Sequence, residues 1–259
     1  MPASTRLALA LSLARSAGAA ALDHFTQRRF KVDTKQDGTP VTIADREAEQ
    51  LLRGAISDAF PDDGILGEEF PESRGRSGYR WVIDPIDGTK SFIHGVPLWG
   101  TLVAVERGNR SVAGVIHMPA LGETVYAAAG EGAWHIQGDQ PPTPARVSKV
   151  DSLEESVLCI TSPGYAVRSG RADLLIRLSE RFGTLRGWSD CYGHILAATG
   201  RVEAVVEPVV APWDVAASII IMQEAGGRYT DWRGAETAHT PDALLTNGLI
   251  HEETMKLLR

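Results

Sequence analysis

The rhythm of apolar and polar positions changes along this chain, and each change marks an element. Over residues 4–24, alanine and leucine recur at helical spacing, with Arg6, Arg15 and Asp23 between them, which predicts an amphipathic surface helix. The polar loop Lys35-Gln36-Asp37-Gly38-Thr39-Pro40 follows. Ala44, Ala48, Leu51, Leu52, Ala55 and Ala59 then share one helical face; Thr42 can cap this helix and Asp45 would complete a box-like start. Ile65-Leu66-Gly67 leads into Glu68-Glu69, and the apolar run Trp81-Val82-Ile83 predicts a strand. Residues 100–105, 112–117, 124–128 and 133–136 are short apolar runs broken by Gly, Pro and Asn, the pattern of an antiparallel meander.

Gln140-Pro141-Pro142-Thr143-Pro144 is the clearest linker. Past it the pattern alternates: strands over 157–161 and 202–207, helices over 172–182, 192–199 and 213–225, the last two ended by Gly200 and by Gly226-Gly227. The linker divides a helix-plus-antiparallel-sheet half, 1–145, from an α/β half, 146–259, expected to pack as one compact unit of alternating helix and sheet layers.

Composition narrows the function classes. The chain has 259 residues, 43% hydrophobic and 23% charged, enough for a full core and too apolar for disorder. A net charge of −7 with no basic patch argues against nucleic acid, since Arg28-Arg29-Phe30-Lys31 reads as the solvated end of a helix. Cys159 and Cys191 form neither a disulfide framework nor a zinc pattern, which points to a reducing compartment. No uninterrupted apolar run reaches the ~18 residues of a membrane span. The Ala/Leu-rich start lacks the basic flank of a signal peptide, so a cytoplasmic protein is expected.

The candidate chemistry lies in Asp84-Pro85-Ile86-Asp87-Gly88-Thr89, which follows the apolar run. A strand ending in such a turn holds both carboxylates, and the carbonyl between them, on one side of the backbone. Hard divalent cations seek that oxygen set, and Mg²⁺ pairs one or two carboxylates with waters and substrate phosphate. The Gly88 and Thr89 amides would point where a phosphate oxygen sits. Other acids have plainer readings: Asp45 and Asp214, taken singly, suit helix N-termini, and Glu68-Glu69 suits a solvated turn. Other enzyme classes lack their motifs. There is no G-x-S-x-G elbow, no G-x-G-x-x-G after a strand and no HExxH, and the glycine spacing before Lys90-Ser91 is wrong for a Walker A loop.

Four blocks together resemble the inositol monophosphatase family of Mg²⁺-dependent, lithium-sensitive phosphomonoesterases. They are Val41-Thr42-Ile43-Ala44-Asp45, Gly67-Glu68-Glu69, Trp81 through Phe92, and Pro212-Trp213-Asp214-Val215-Ala216-Ala217 followed by Glu224-Ala225-Gly226-Gly227. The resemblance implies the family's α+β fold, a layered αβαβα sandwich. It implies that Glu68, Asp84 and the Ile86 carbonyl bind a first Mg²⁺, that Asp84, Asp87 and Asp214 bind a second, and that Glu68 faces a third, weaker metal through waters. Gly88 and Thr89 would hold the phosphate, and Glu68 and Thr89 would orient a metal-activated water for in-line attack. Asp45 would hydrogen-bond Thr89 or a metal water. Family members commonly form homodimers.

The substrate is read elsewhere. Trp188-Ser189-Asp190-Cys191-Tyr192-Gly193 is similar to the histidinol-phosphate phosphatase branch, whereas inositol-type members usually carry a small uncharged residue at Asp190. The implied substrate is L-histidinol phosphate, a phosphate monoester of histidine biosynthesis, with Asp190 and neighbouring Ser189 in the substrate site. Asp190 would pair with its ammonium, and Glu207 would contact the amine or imidazole. The plainer readings are a helix N-cap for Asp190, a strand-end surface acid for Glu207, core aromatics for Trp188 and Tyr192, and a surface histidine for His94. The alternatives in class are an inositol-1-phosphate or broad-specificity phosphatase. Out of class, a non-catalytic phosphometabolite-binding protein could use the same scaffold.

Overall fold

The computed structural model describes residues 3–28, 30–35, 38–188 and 190–258. The first half of the chain runs α1 (Ala3–Gln27), β1 (Val32–Thr34), β2 (Pro40–Thr42), α2 (Ile43–Ala59), β3 (Gly64–Gly67), β4 (Tyr79–Asp87), α3 (Thr89–Ile93), β5 (Gly100–Arg107), β6 (Arg110–Met118), β7 (Glu123–Ala128), β8 (Ala133–Gln137) and β9 (Thr143–Pro144). It continues through β10 (Val157–Ile160), α4 (Pro163–Arg168), α5 (Ala172–Arg181), β11 (Thr184–Arg186), α6 (Cys191–Ala198), β12 (Ala204–Glu207), α7 (Pro212–Glu224), β13 (Arg228–Thr230), β14 (Ala243–Thr246) and α8 (His251–Leu258).

Strands β3 to β9 form one sheet in chain order, antiparallel except for the parallel β3–β4 pair. The second sheet has the order β11-β10-β12-β14-β13, with β10 parallel to both neighbours and β14 antiparallel to both of its own. Successive strand residues face opposite sides of a sheet, and that alternation sets the layers. Trp81, Ile83, Val103 and Val105 pack beneath Leu13 of α1 and Leu52 and Ile56 of α2. The intervening Val82, Leu102 and Ala104 pack on α6 and α7, which also meet Val205 and Leu245 of the second sheet. The other face of that sheet, with Leu158, Val206 and Leu244, is covered by α5 and α8. The result is the expected αβαβα sandwich. Helix α7 is buried without interruption from Val215 to Met222, as a helix between two sheets must be. Cutting Ile83 to alanine in such a core would cost about 2–5 kcal/mol.

Some expectations shift. The linker contributes a strand, because Thr143 and Pro144 pair with His135 and Trp134 at the sheet edge, where a proline's missing N–H costs no ladder bond. The strand expected over 202–207 narrows to Ala204–Glu207. The short β1, β2, β11, β13 and β14, and helices α3, α4 and α8, carry too few residues to show a period.

Candidate active site

The site begins at a fault in a ladder. Asp84 pairs with Leu102 and Asp87 with Gly100, so β4 spends one more residue than β5 over this step. That is a β-bulge, and it turns the strand end. The Thr101 hydroxyl donates to the Pro85 carbonyl at 2.9 Å and pins the extra residue. Asp84 Oδ1 accepts from the Ile86 amide at 3.0 Å, and Asp87 Oδ2 accepts from the Cys191 amide at 2.5 Å. Gly88 then turns into α3 with φ 88°, a left-handed conformation that favours glycine, and a Cβ there would come within 2.9 Å of the Leu98 carbonyl.

Asp214 arrives from the other half, in the first turn of α7. Its Oδ2 accepts from the Ala211 amide at 2.8 Å, and the helix is tied to β6 by the Ser111 hydroxyl, which donates to the Ala216 carbonyl at 2.7 Å. Asp84, Asp87 and Asp214 thereby bring carboxylate oxygens within 4.8 Å of one another. Among the described residues no basic side chain pairs with any of the three. Burial raises the Asp84 carboxyl well above its usual range, and the charges of Glu68, Asp87 and Asp214 push the same way. Burial also raises Asp87, with Asp190 and Asp214 adding to it against the Cys191 hydrogen bond. Asp214 is raised by burial, partly opposed by the Ala211 amide. Converging carboxylates that repel one another, with no internal cation, are a donor set that suits a hard divalent ion.

Glu68 sits just past β3, and its place is set from behind. Glu49 of α2 is fully buried; its Oε2 accepts from the Glu69 amide at 2.7 Å and its Oε1 from the Arg53 guanidinium at 2.7 Å. Gly67 lies against this carboxylate so closely that a Cβ would meet it at 2.2 Å. Glu68 Oε1 accepts from the Lys35 ammonium at 2.6 Å, and Glu69 accepts from the same group at 2.7 Å. Burial pulls the Lys35 pKa down, but the two carboxylates outweigh it and the net shift is upward. Burial pushes Glu69 up to about 7 despite Lys35. Sequence reasoning missed Glu49; its signal was its place one turn beyond Asp45 and one turn before Arg53 on α2.

Asp45 fills the capping role read from sequence. Its Oδ2 accepts from the Thr42 amide at 2.8 Å and hydroxyl at 2.7 Å, while Thr42 Oγ1 accepts from the Ala44 amide at 3.1 Å. Its other oxygen, Oδ1, is buried with no hydrogen-bond partner among the described residues. The expected Asp45–Thr89 hydrogen bond is not made, because the Thr89 hydroxyl turns inward to donate to the Ile86 carbonyl at 3.1 Å. The metal-water alternative for Asp45 is untouched by this.

Asp190 and Glu207 line the same cleft as the three aspartates. Asp190 stands at the N-cap position of α6, yet its side chain makes no cap hydrogen bond, so the plain capping reading fails. Its φ of 54° with ψ of −153° is a conformation that costs a non-glycine residue about 1–3 kcal/mol. Its Oδ2 lies 3.3 Å from the point a Gly88 Cβ would occupy, beside the turn after Asp87. Glu207 is 3% exposed, which excludes the surface-acid reading, and its Oε2 accepts from the Thr161 hydroxyl. Trp188 is 42% exposed and is not a core residue, whereas Tyr192 is half-buried against the core between the sheets. Ser189 lies outside the described residues. His94 is an exposed histidine whose ring bonds the Lys90 carbonyl at 2.8 Å. His194 and Thr161, which the sequence did not single out, also line the cleft. The cleft encloses about 510 Å³, room for a small metabolite.

Comparison with known proteins gives the family. The model of the inositol monophosphatase family matches residues 3–259. A histidinol-phosphatase of Chlorobaculum parvum is 45% identical over 93% of this chain and 91% of its own length. One of Mycobacterium tuberculosis is 39% identical over 97% of each. The solved structure of the Thermotoga maritima IMPase superimposes with a TM-score of 0.86 at 34% identity, covering 98% of this chain and 96% of that one. The chain therefore belongs to the inositol monophosphatase family and is a phosphoric monoester hydrolase.

Proposed function

We propose that the protein hydrolyses L-histidinol phosphate to L-histidinol and inorganic phosphate with Mg²⁺, as a step of histidine synthesis. The observation that carries this reading is Asp190: an acid in the cleft, beside the turn after Asp87, held in a costly backbone conformation and not used as a cap. An acid so placed suits a substrate with an ammonium group, a charge that a neutral polyol does not offer. The histidinol-phosphatases at 39–45% identity favour the same substrate.

Glu68, Asp84, the Ile86 carbonyl, Asp87 and Asp214 would hold the Mg²⁺ ions. When bound, the ions supply charge neutralisation for the phosphate dianion and a lowered pKa for the attacking water. The chain's own groups do the rest. The Gly88 and Thr89 amides, at the start of α3, hold phosphate oxygens. Glu68 and the Thr89 hydroxyl orient the water in line with the ester bond. The water oxygen bonds to phosphorus and the ester P–O bond breaks; one water proton passes to the leaving alkoxide, giving L-histidinol, and the other stays with the phosphate. Asp190 meets the ammonium, and Glu207 the amine or imidazole. The cleft's volume suits a small phosphate ester, and among the described residues no helix is long and apolar enough to cross a membrane. We place the enzyme in the cytoplasm as a homodimer.

The deciding experiment is kcat/KM with Mg²⁺ for L-histidinol phosphate against inositol-1-phosphate, on wild type and Asp190→Asn. Asparagine matches aspartate in shape, so this variant removes the charge with the least change in size. A preference for histidinol phosphate that collapses in the variant supports the reading. Equal rates in wild type, or a preference for the inositol ester, would favour the second reading, an inositol or broad-specificity phosphatase, which the likeness to the Thermotoga IMPase keeps in view.

A further inference from the structure

Two buried polar atoms at the substrate end of the cleft have no hydrogen-bond partner among the described residues, and they face each other. They are His194 Nε2 and Glu207 Oε1, 3.6 Å apart. Both side chains are 3% exposed, and both residues line the cleft. The other side of each group is fixed. His194 Nδ1 lies 2.8 Å from the Ser218 hydroxyl, on α7, and Glu207 Oε2 accepts from the Thr161 hydroxyl, just past β10.

We propose that His194 is a positioning residue for Glu207, with Ser218 setting its tautomer; this rests on Glu207 reading the substrate's nitrogen groups. The Ser218 hydroxyl can rotate to donate to Nδ1. The ring proton then resides on Nε2, where it meets a carboxylate oxygen. The opposite tautomer would set a nitrogen lone pair against that oxygen in a dry site. At 3.6 Å the contact is too long for a hydrogen bond, and a small movement closes it. With Nε2–H on one oxygen and the Thr161 hydroxyl on the other, the Glu207 carboxylate is held in one plane, and its remaining lone pairs are free to accept from a cationic nitrogen. The second residue of the recognition pair would thus be oriented by α6 and α7 together, and α7 also delivers Asp214 to the phosphate end. Sequence reasoning passes over His194 because a histidine inside a mostly apolar helix reads as a satisfied core residue.

The test compares kcat/KM for L-histidinol phosphate and for p-nitrophenyl phosphate, which carries no ammonium, in wild type, His194→Ala, His194→Gln and Ser218→Ala. The ratio of the two values should fall about tenfold or more in His194→Ala, the scale of a lost hydrogen bond to a charged group. The loss should lie mainly in KM for histidinol phosphate. His194→Gln, which can still present an N–H, should recover part of the ratio, and Ser218→Ala should lower it in the same direction. In wild type, the ¹⁵N shifts of the His194 ring should show the proton on Nε2. An unchanged ratio in His194→Ala and Ser218→Ala, or a proton on Nδ1, overturns the proposal. So does a loss shared equally by both substrates, which is what a purely structural role gives. If His194→Ala does not fold, Ser218→Ala and the ring shifts decide. A wild type with no preference for histidinol phosphate overturns the substrate reading instead, and the ring shifts still report separately on the tautomer.

Discussion

Asp63, just before β3 and beside the start of β4, accepts two hydrogen bonds from the Arg6 guanidinium, at 2.8 and 3.0 Å, one from the Trp81 indole at 2.9 Å and one from the Ser77 hydroxyl at 2.6 Å. At the other end of β4, Asp84 and Asp87 are also buried, but among the described residues no basic side chain bonds to them; they accept from the Ile86 and Cys191 amides and face further carboxylates. Burial alone would raise all three. At Asp63 the Arg6, Ser77 and Trp81 bonds win and hold the carboxyl below its usual range. At Asp84 and Asp87 the neighbouring charges add to burial. Concealment is therefore not what separates a structural from a functional carboxylate here. The difference is whether the chain supplies its own cation.

Removing the cation at one end should be the largest test of stability. Arg6→Ala leaves Asp63 buried and unpaired, and should cost about 3–5 kcal/mol in urea unfolding, with the kcat of the folded fraction preserved. A loss below about 1 kcal/mol would mean that Asp63 is not held as described. At the other end, Asp87→Asn should lower kcat on the order of 10²–10³-fold or more. It should also raise the Tm of metal-free protein, because it removes a repelling charge. Near-normal turnover would break the metal assignment.

The two ends should also titrate in opposite directions. The raised carboxyls bind more protons in the native than in the unfolded chain once pH exceeds their ordinary value of about 4. Their contribution to metal-free stability therefore falls as pH rises, across a window reaching about 8 for Asp214. Asp63, held low, contributes stability that is present above about pH 4 and is lost as pH falls through its lowered value. Thermal melts should show Tm of the metal-free protein declining from about pH 5 to 8, and saturating Mg²⁺ should remove that decline. A flat metal-free profile would argue against the repulsion. The smallest effect belongs to a polar group that is satisfied within its own helix start: Thr42→Ala should cost about 1 kcal/mol in the same unfolding assay.

What the sequence made legible follows the range of the interactions. Strands β5 to β8 are hairpin neighbours, each a short apolar run bounded by Gly, Pro or Asn, and they stand where the pattern placed them. Strands β13 and β14 did not show, because each is three or four residues long and β14 takes its place between β12 and β13 across the chain. Asp84 and Asp87 were legible because a strand ending in a Pro and Gly turn leaves a local signature, whereas Asp214 by itself read as a helix-start acid and only the family resemblance pointed to it. Glu49, Thr161 and His194 were not, because each acts on a residue that only tertiary structure brings beside it.

The extra residue in β4 has a last consequence, which is one of parity. On an unbroken strand, positions 84 and 87 have opposite parity and would point to opposite faces. The bulge resets the count between them. Deleting a single residue at 85 or 86 would leave the two acids two apart on a regular ladder, still on one face, but would remove the bulge and the turn of the strand end that brings them beside Asp214. The protein would keep every acid on the right face and lose the bend that makes them converge, so here the spacing itself carries chemical information that no substitution can remove.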